Sequence, residues 1–466
     1  MHNKLIDYFQ HTILLIILSS TLLFQKYFFI SKVAWLLLSI LCGINITFAI
    51  YAVFFFGAFF VTTDFLPHLF FTVKHFQIAI MLLALTCFFR GKLSFKAHNL
   101  ARFGKIFLPW LLILLISTLA VLRGDQLTRV FKINGNILSC VLSALLLMAT
   151  VKVSKENVSN AILFFLFGVC LRVSLAALTQ AGIRYYFPIE GLFYNNHIGF
   201  LCATTLFLTL PFLILKRGWF GQVLCWFTLG LVCTGLLMSC SRTGWFSFLI
   251  SYFLFSTLFF SLQESNPSLK STWKTREFLI GTALMFTVIL FLGSFMSRDV
   301  IDRVFALQRL FDRQFWNYTF HTDNFGFFGF HRLHQFITIV KIMKQSHLLG
   351  IGFTQEVTDF HSLYLTILGG TGVLGLCLFC IFISNWLKPL YRVIFQPDRD
   401  GFNIMRIGVL SAFVAWLVYS LMETFVVQFH IWLIVALGFM LQKRVPAKLQ
   451  LAKKTAALDQ RISREG

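Results

Sequence analysis

A histidine lies where a long polar segment of this chain runs back into an apolar one. His361 stands in the stretch Thr358-Asp359-Phe360-His361-Ser362-Leu363-Tyr364, and a long apolar run follows. Imidazole is the side chain best suited to accept a proton near neutral pH, so a histidine at a membrane boundary could deprotonate a hydroxyl group there. The capped start of a helix that carries an incidental histidine explains the same segment about as well.

An arginine occupies a second boundary, in the stretch Ser239-Cys240-Ser241-Arg242-Thr243-Gly244-Trp245 between two apolar runs. A guanidinium group can pair with phosphate through two parallel hydrogen bonds. Small polar residues around an arginine at a membrane boundary therefore favour an anion-binding site. The alternative is an interfacial arginine whose stem lies along apolar surface and whose charge reaches the lipid headgroups.

A second arginine, Arg332, stands near the start of a segment in which apolar residues recur at helical spacing, at positions 336, 339, 340 and 343. This spacing predicts an amphipathic helix, whose opening arginine could point a fixed positive charge at a ligand. The segment ends at Gly350-Ile351-Gly352, where the glycines would allow a sharp turn. Taken alone, a solvated helix face with a surface arginine is the more common explanation.

Four other polar residues could line the path of an acceptor or support the three residues above: Asn196, His197, Asp359 and Tyr364. The first two are explained about as well by the capped start of a helix. We expect no metal ion and no cofactor, because the long segment around positions 297–361 has no Asp-x-Asp pair of the kind that binds divalent metals.

The composition of the chain predicts that membrane helices hold these residues in place. Of the 466 residues, 58% are hydrophobic and only 12% are charged, whereas a soluble domain has about 25% charged residues. We predict an all-α fold, a polytopic transmembrane helical bundle of about 12–14 helices. The long run Val33–Val61 could form one tilted helix or two short ones, so the apolar runs add up to 13 or 14 helices.

The net charge of +22 is expected to report orientation in a membrane rather than a nucleic-acid partner, since basic residues collect in cytoplasmic loops. By this rule we divide the chain into transmembrane helices over 1–296, a large, partly helical outer loop over 297–361, further transmembrane helices over 362–442, and a basic cytoplasmic tail over 443–466. His361 and both arginines then face the outer side.

Taken together and in this order, the segments from about Asn195 to Gly375 resemble the O-antigen ligase and O-antigen polymerase superfamily of bacterial inner-membrane glycosyltransferases. The resemblance implies that His361 is the catalytic base and that Arg242 and Arg332 bind the pyrophosphate of the donor. The chain departs from the family pattern, which commonly has His-Asn and a later Glu, at His361-Ser362 and Gly369-Gly370-Thr371. No orienting carboxylate is therefore evident, although Asp359 or Glu356 could take that place.

The resemblance further implies an inverting, metal-independent transfer of a glycan from undecaprenyl or another polyprenyl pyrophosphate to a sugar hydroxyl of lipid A-core. The active site would lie on the periplasmic side of a multi-pass inner-membrane protein. An O-antigen or exopolysaccharide polymerase and a protein O-oligosaccharyltransferase share the donor half of this reaction and remain alternatives. A polysaccharide or lipid transporter is the alternative of another class. Such carriers usually place acidic residues within the membrane, where this chain offers mainly Glu423.

Overall fold

The computed structural model describes most of the apolar part of the chain. The described residues are 2–23, 28–59, 62–63, 73–91, 97–121, 126–150, 155–180, 195–214, 219–239, 241–265, 330–346, 349–358, 360–395, 402–423 and 429–442. The last part of the predicted transmembrane region over 1–296, from position 266 onward, the first half of the predicted outer loop and the tail over 443–466 lie outside them.

Within these ranges the chain forms fifteen helices and one short antiparallel ladder. The ladder pairs β1 (Thr62–Thr63) with β2 (Val73–Lys74). The helices are α1 (His2–Leu23), α2 (Phe28–Ile44), α3 (Ile46–Gly57), α4 (His75–Phe89), α5 (Ala97–Val121), α6 (Leu127–Thr150), α7 (Lys155–Gln180), α8 (Asn195–Ile214), α9 (Trp219–Met238), α10 (Arg242–Ser265), α11 (Phe330–Gln345), α12 (Gln355–Thr358), α13 (Leu363–Ile394), α14 (Phe402–Tyr419) and α15 (Phe429–Leu441).

The predicted polytopic helical bundle is confirmed. In the described part of the chain, seven helices are long and apolar enough to cross a membrane, namely α5, α6, α7, α8, α10, α13 and α14. Six shorter apolar helices accompany them. The run Val33–Val61 is divided at Asn45, which has an extended backbone. The Asn45 side chain accepts a hydrogen bond from the Thr47 amide and so caps the start of α3. Neither half reaches the roughly 20 residues of a full crossing.

Several helix ends are closed by arginine side chains from elsewhere in the chain. The last carbonyl groups of a helix have no partner within it, and leaving them unpaired in apolar surroundings is costly. The Arg172 guanidinium donates a 2.6 Å hydrogen bond to the carbonyl of Ala58 at the end of α3. Arg406 donates through Nε to the carbonyl of Leu441 at the end of α15, at 2.9 Å. Arg90 does the same at the end of α2. These arginines fix how neighbouring helices meet.

Helix α14 has a central place in the packing. It contacts α8, α10, α13 and α15, and most of its residues are buried. Helix α11 and the single-turn α12 both lie against α13. The end of α14 contacts the starts of α8, α10 and α13, which carry most of the residues singled out by the sequence.

Candidate active site

His361 lies in the short connection between α12 and α13. Ser362 has an extended backbone (φ −136°, ψ 126°), and α13 begins at the next residue. The backbone amide of His361 donates a 3.1 Å hydrogen bond to Oε1 of Gln335, a buried residue of α11. The amide side chain of Gln335 thus connects the helix that begins near Arg332 to the backbone of the histidine.

The carboxylate of Glu423 faces the His361 imidazole. Glu423 Oε2 lies 3.7 Å from His361 Nδ1, the His361 side chain is 48% exposed and that of Glu423 is 16% exposed. Glu423 belongs to the turn after α14, and its amide donates to the carbonyl of Tyr419 at 3.1 Å. A titratable base and a carboxylate are therefore held together at an accessible end of the bundle.

Two hydrogen bonds join the start of α13 to the end of α14. The Leu363 amide donates to the Ser420 carbonyl at 2.9 Å. The Tyr364 hydroxyl donates to the Leu417 carbonyl at 3.1 Å. Both bonds lie within a few residues of His361 and Glu423, so the distance between imidazole and carboxylate is set by the packing of two membrane helices.

The turn that precedes Arg242 lies against the same end of α14. Ser241 Oγ accepts a 3.2 Å hydrogen bond from the Gly244 amide, as the first side chain before a helix commonly does. The same Oγ lies 2.8 Å from the hydroxyl oxygen of Tyr419 and is hydrogen-bonded to it. Arg242 is the first residue of α10, and its side chain lies outside the described part of the structure. The Tyr419 hydroxyl therefore joins the side chain that caps α10 to the helix end that carries Glu423.

The start of α8, which includes Asn196 and His197, approaches the same turn. A Cβ atom placed on Gly199 would lie 2.6 Å from Oγ of Ser239, which leaves no room for a side chain there. The ring of Phe200, one residue further on, lies 4.8 Å from that of Tyr419. His197 is partly buried, while the side chain of Asn196 is outside the described residues. Both residues nevertheless belong to a helix start that borders the candidate site.

The Gly350-Ile351-Gly352 segment packs against a break in α13. Gly350 and Gly352 have φ values of 79° and 80°, which only glycine adopts readily. The amides of Ile351 and Gly352 donate to the carbonyls of Gly369 and Gly370 at 2.9 and 2.8 Å. These carbonyls precede Gly372, whose φ of 69° and ψ of −167° interrupt the helix. The glycines thus let the segment that follows α11 dock on α13.

The remaining predicted residues are Arg332, Asp359 and Tyr364, together with Glu356 as a possible orienting carboxylate. The side chains of Arg332 and Asp359 lie outside the described part of the chain, although the Arg332 backbone belongs to the first turn of α11. Tyr364 is a link between helices, as described above. Glu356 is exposed on α12. Among the described residues, the carboxylate found opposite His361 is that of Glu423 rather than that of Glu356.

Sequence reasoning missed three contributors to this arrangement: Gln335, Tyr419 and Glu423 as a neighbour of His361. The only sequence signal for Glu423 was an acidic residue at the end of an apolar run.

Within the described residues, no group of three or more His, Cys, Asp or Glu side chains could hold a metal ion. Chemically, the arrangement can accept a proton from a hydroxyl group at the end of a membrane bundle.

Comparison with known proteins gives no further assignment. No family model matches the chain, and no curated protein sequence matches it significantly.

Proposed function

We propose that this chain is an O-antigen ligase-like glycosyltransferase of the bacterial inner membrane. It would move a glycan from a polyprenyl pyrophosphate carrier to a sugar hydroxyl of lipid A-core. The observation that carries the proposal is the convergence of three segments on the end of α14. The start of α10 is bonded to Tyr419, the start of α13 to Ser420, and His361 is tied to α11 through Gln335.

The convergence matters because the proposed reaction needs a base and an anion site at one membrane boundary. His361 is a half-exposed imidazole next to a carboxylate. Arg242 is the first residue of α10 and Arg332 lies in the first turn of α11, and hydrogen bonds of the Ser241 and Gln335 side chains attach these two helix starts to the same region. A donor whose isoprenoid lies in the bilayer would present its pyrophosphate and its sugar at this level.

In the proposed step, an acceptor hydroxyl oxygen bonds to the anomeric carbon while the bond from that carbon to the pyrophosphate oxygen breaks. The hydroxyl proton passes to His361, and attack from the face opposite the leaving group inverts the anomeric configuration. General-base assistance of this kind contributes about 10²–10⁴-fold in rate. Arg242 and Arg332 would bind the pyrophosphate as it leaves with its negative charge, a contribution of roughly 3–4 kcal/mol for a well-placed donor.

Two guanidinium groups can supply the positive charge that a divalent metal supplies in other glycosyltransferases. We therefore expect transfer to continue in the presence of a chelator. Loss of transfer in EDTA that magnesium or manganese restores would contradict this part of the proposal.

The proposal is tested in a strain that lacks the gene, complemented with the wild-type protein or with His361→Ala. Lipopolysaccharide gels and lipid-linked glycans are measured, and membrane levels of both proteins serve as the control. Loss of long chains from lipid A-core, with polymerised glycan accumulating on the carrier and rescue by the wild type alone, is the expected result. Transfer of single repeat units without a ladder would indicate a polymerase instead, and no change in either pool would exclude this acceptor.

A further inference from the structure

The carboxylate opposite His361 comes from a part of the chain that the sequence pattern did not connect with the histidine. Glu423 follows α14, whereas the candidates next to His361 in sequence were Glu356 and Asp359. Glu356 is exposed on α12, and Asp359 lies outside the described residues. Among the described residues, the carboxylate of Glu423 lies next to the imidazole, with Oε2 at 3.7 Å from Nδ1.

The two side chains differ in exposure in the way that a base and its supporting group should. The Glu423 side chain is 16% exposed, while 48% of the His361 side chain is exposed. The carboxylate is therefore the more enclosed partner, and the imidazole is the one that an incoming molecule can reach. A distance of 3.7 Å is longer than a hydrogen bond, but such contacts often tighten only when substrate is bound.

The backbone around the pair is fixed independently of the pair itself. The Leu363 amide is bonded to the Ser420 carbonyl, and the Glu423 amide to the Tyr419 carbonyl. On the other side, the His361 amide is bonded to Gln335. Removing the Glu423 carboxylate should thus change which ring nitrogen of the imidazole carries the proton, while the backbone around His361 stays in place.

We infer that Glu423 is a positioning residue for His361. Its carboxylate accepts the Nδ1–H hydrogen bond and so keeps the imidazole in the tautomer with an unprotonated Nε2. Nε2 is then the atom that takes the proton of the acceptor hydroxyl, and the carboxylate stabilises the imidazolium that results. This inference rests on the proposed function, since it needs His361 to act as a base.

Three variants and one control test the inference on the purified full-length protein. Glu423→Gln keeps the size of the side chain but removes its charge, and Glu423→Asp keeps the charge on a shorter stem. Glu356→Gln makes the same change on an exposed glutamate of the same region and serves as the matched control. His361→Ala reports separately whether the histidine is needed at all.

Two measurements are made on each protein. The first is the kinetics of glycan transfer, with kcat and KM determined separately for the lipid-linked donor. The second is nitrogen NMR of isotopically labelled histidine, with the His361 signal assigned by its loss in His361→Ala. The NMR measurement reports which ring nitrogen carries the proton and does not depend on activity.

We expect Glu423→Gln to lower kcat by about 10²–10⁴-fold, since loss of the carboxylate that sets the tautomer of a histidine base can remove most of its contribution, with little change in KM. Glu423→Asp should recover part of the loss, and Glu356→Gln should behave as the wild type. In the NMR experiment, the wild-type imidazole should carry its proton on Nδ1, and Glu423→Gln should lose this preference.

Wild-type kcat and an unchanged tautomer in Glu423→Gln, with His361→Ala inactive, would overturn the inference and leave the proposed function standing. A lower melting temperature and a raised KM with an unchanged tautomer would assign Glu423 a structural role, which also overturns it. Full activity of His361→Ala would overturn the proposed function, and the inference with it.

Discussion

The two ends of the bundle use charged residues in different ways. At one end, Arg406 is buried, and its guanidinium donates to the carbonyls of Leu441, the last residue of α15, and Val393, in the last turn of α13. At the other end, His361 is half exposed and faces the carboxylate of Glu423. A charge enclosed by helix ends holds the fold together, whereas a charge that solvent can reach is available for chemistry.

This difference is tested by changing one arginine at each end of the bundle, first Arg242 at the end that carries His361 and then Arg406 at the other end. Arg242→Lys keeps the positive charge but removes the planar fork that can pair with phosphate through two bonds. We expect glycan transfer to fall by about 10²–10³-fold, the usual effect of losing a donor to a developing negative charge. The rate of transfer per folded molecule, compared with that of the wild type, is the measurement.

Arg129→Lys is the matched control for this change. Arg129 is an exposed arginine of α6 whose Nη2 lies 3.5 Å from Thr358 Oγ1, close to His361 in sequence. Transfer by this variant should stay near the wild-type rate. Near-normal transfer by Arg242→Lys would refute the anion-binding role of Arg242.

Arg406→Ala should affect stability rather than chemistry. The change leaves buried carbonyl groups at the ends of two helices without their donor, and each such group costs about 1–3 kcal/mol. We expect a clear fall in the thermal unfolding temperature in detergent, with transfer per folded molecule unchanged. Arg392→Ala, an exposed basic residue at the same end, should leave the unfolding temperature within error of the wild type. An equal drop in the two variants would contradict the structural role of Arg406.

Tyr419→Phe should have the smallest effect. The variant loses the hydroxyl group that bonds to Ser241 Oγ but keeps the ring that contacts Phe200. Loss of one such bond costs about 1 kcal/mol, so we expect a transfer rate a few-fold lower and a small change in unfolding temperature. Tyr364→Phe, which removes the bond to the Leu417 carbonyl, gives the comparison. An unaltered rate in Tyr419→Phe would mean that the link between α10 and α14 has no part in transfer.

Local sequence features were sufficient for some of this architecture. The polar-to-apolar changes at Ser241 and Ser362 marked where α10 and α13 begin, and the helical spacing after Arg332 marked α11. The pairing of Glu423 with His361 could not be found in this way, because it depends on how α13 and α14 pack side by side. The same holds for the break at Gly372, whose preceding carbonyls are paired by a segment that lies earlier in the chain.

We propose that His361 is the base in a glycosyl transfer. The most direct test of this proposal is transfer in vitro with purified protein, a polyprenyl-pyrophosphate-linked glycan and lipid A-core, comparing the wild type with His361→Ala. We expect transfer by the wild type, at least 10²-fold less by the variant, and equal unfolding temperatures for the two proteins. Equal transfer by two folded proteins would show that His361 is not the base.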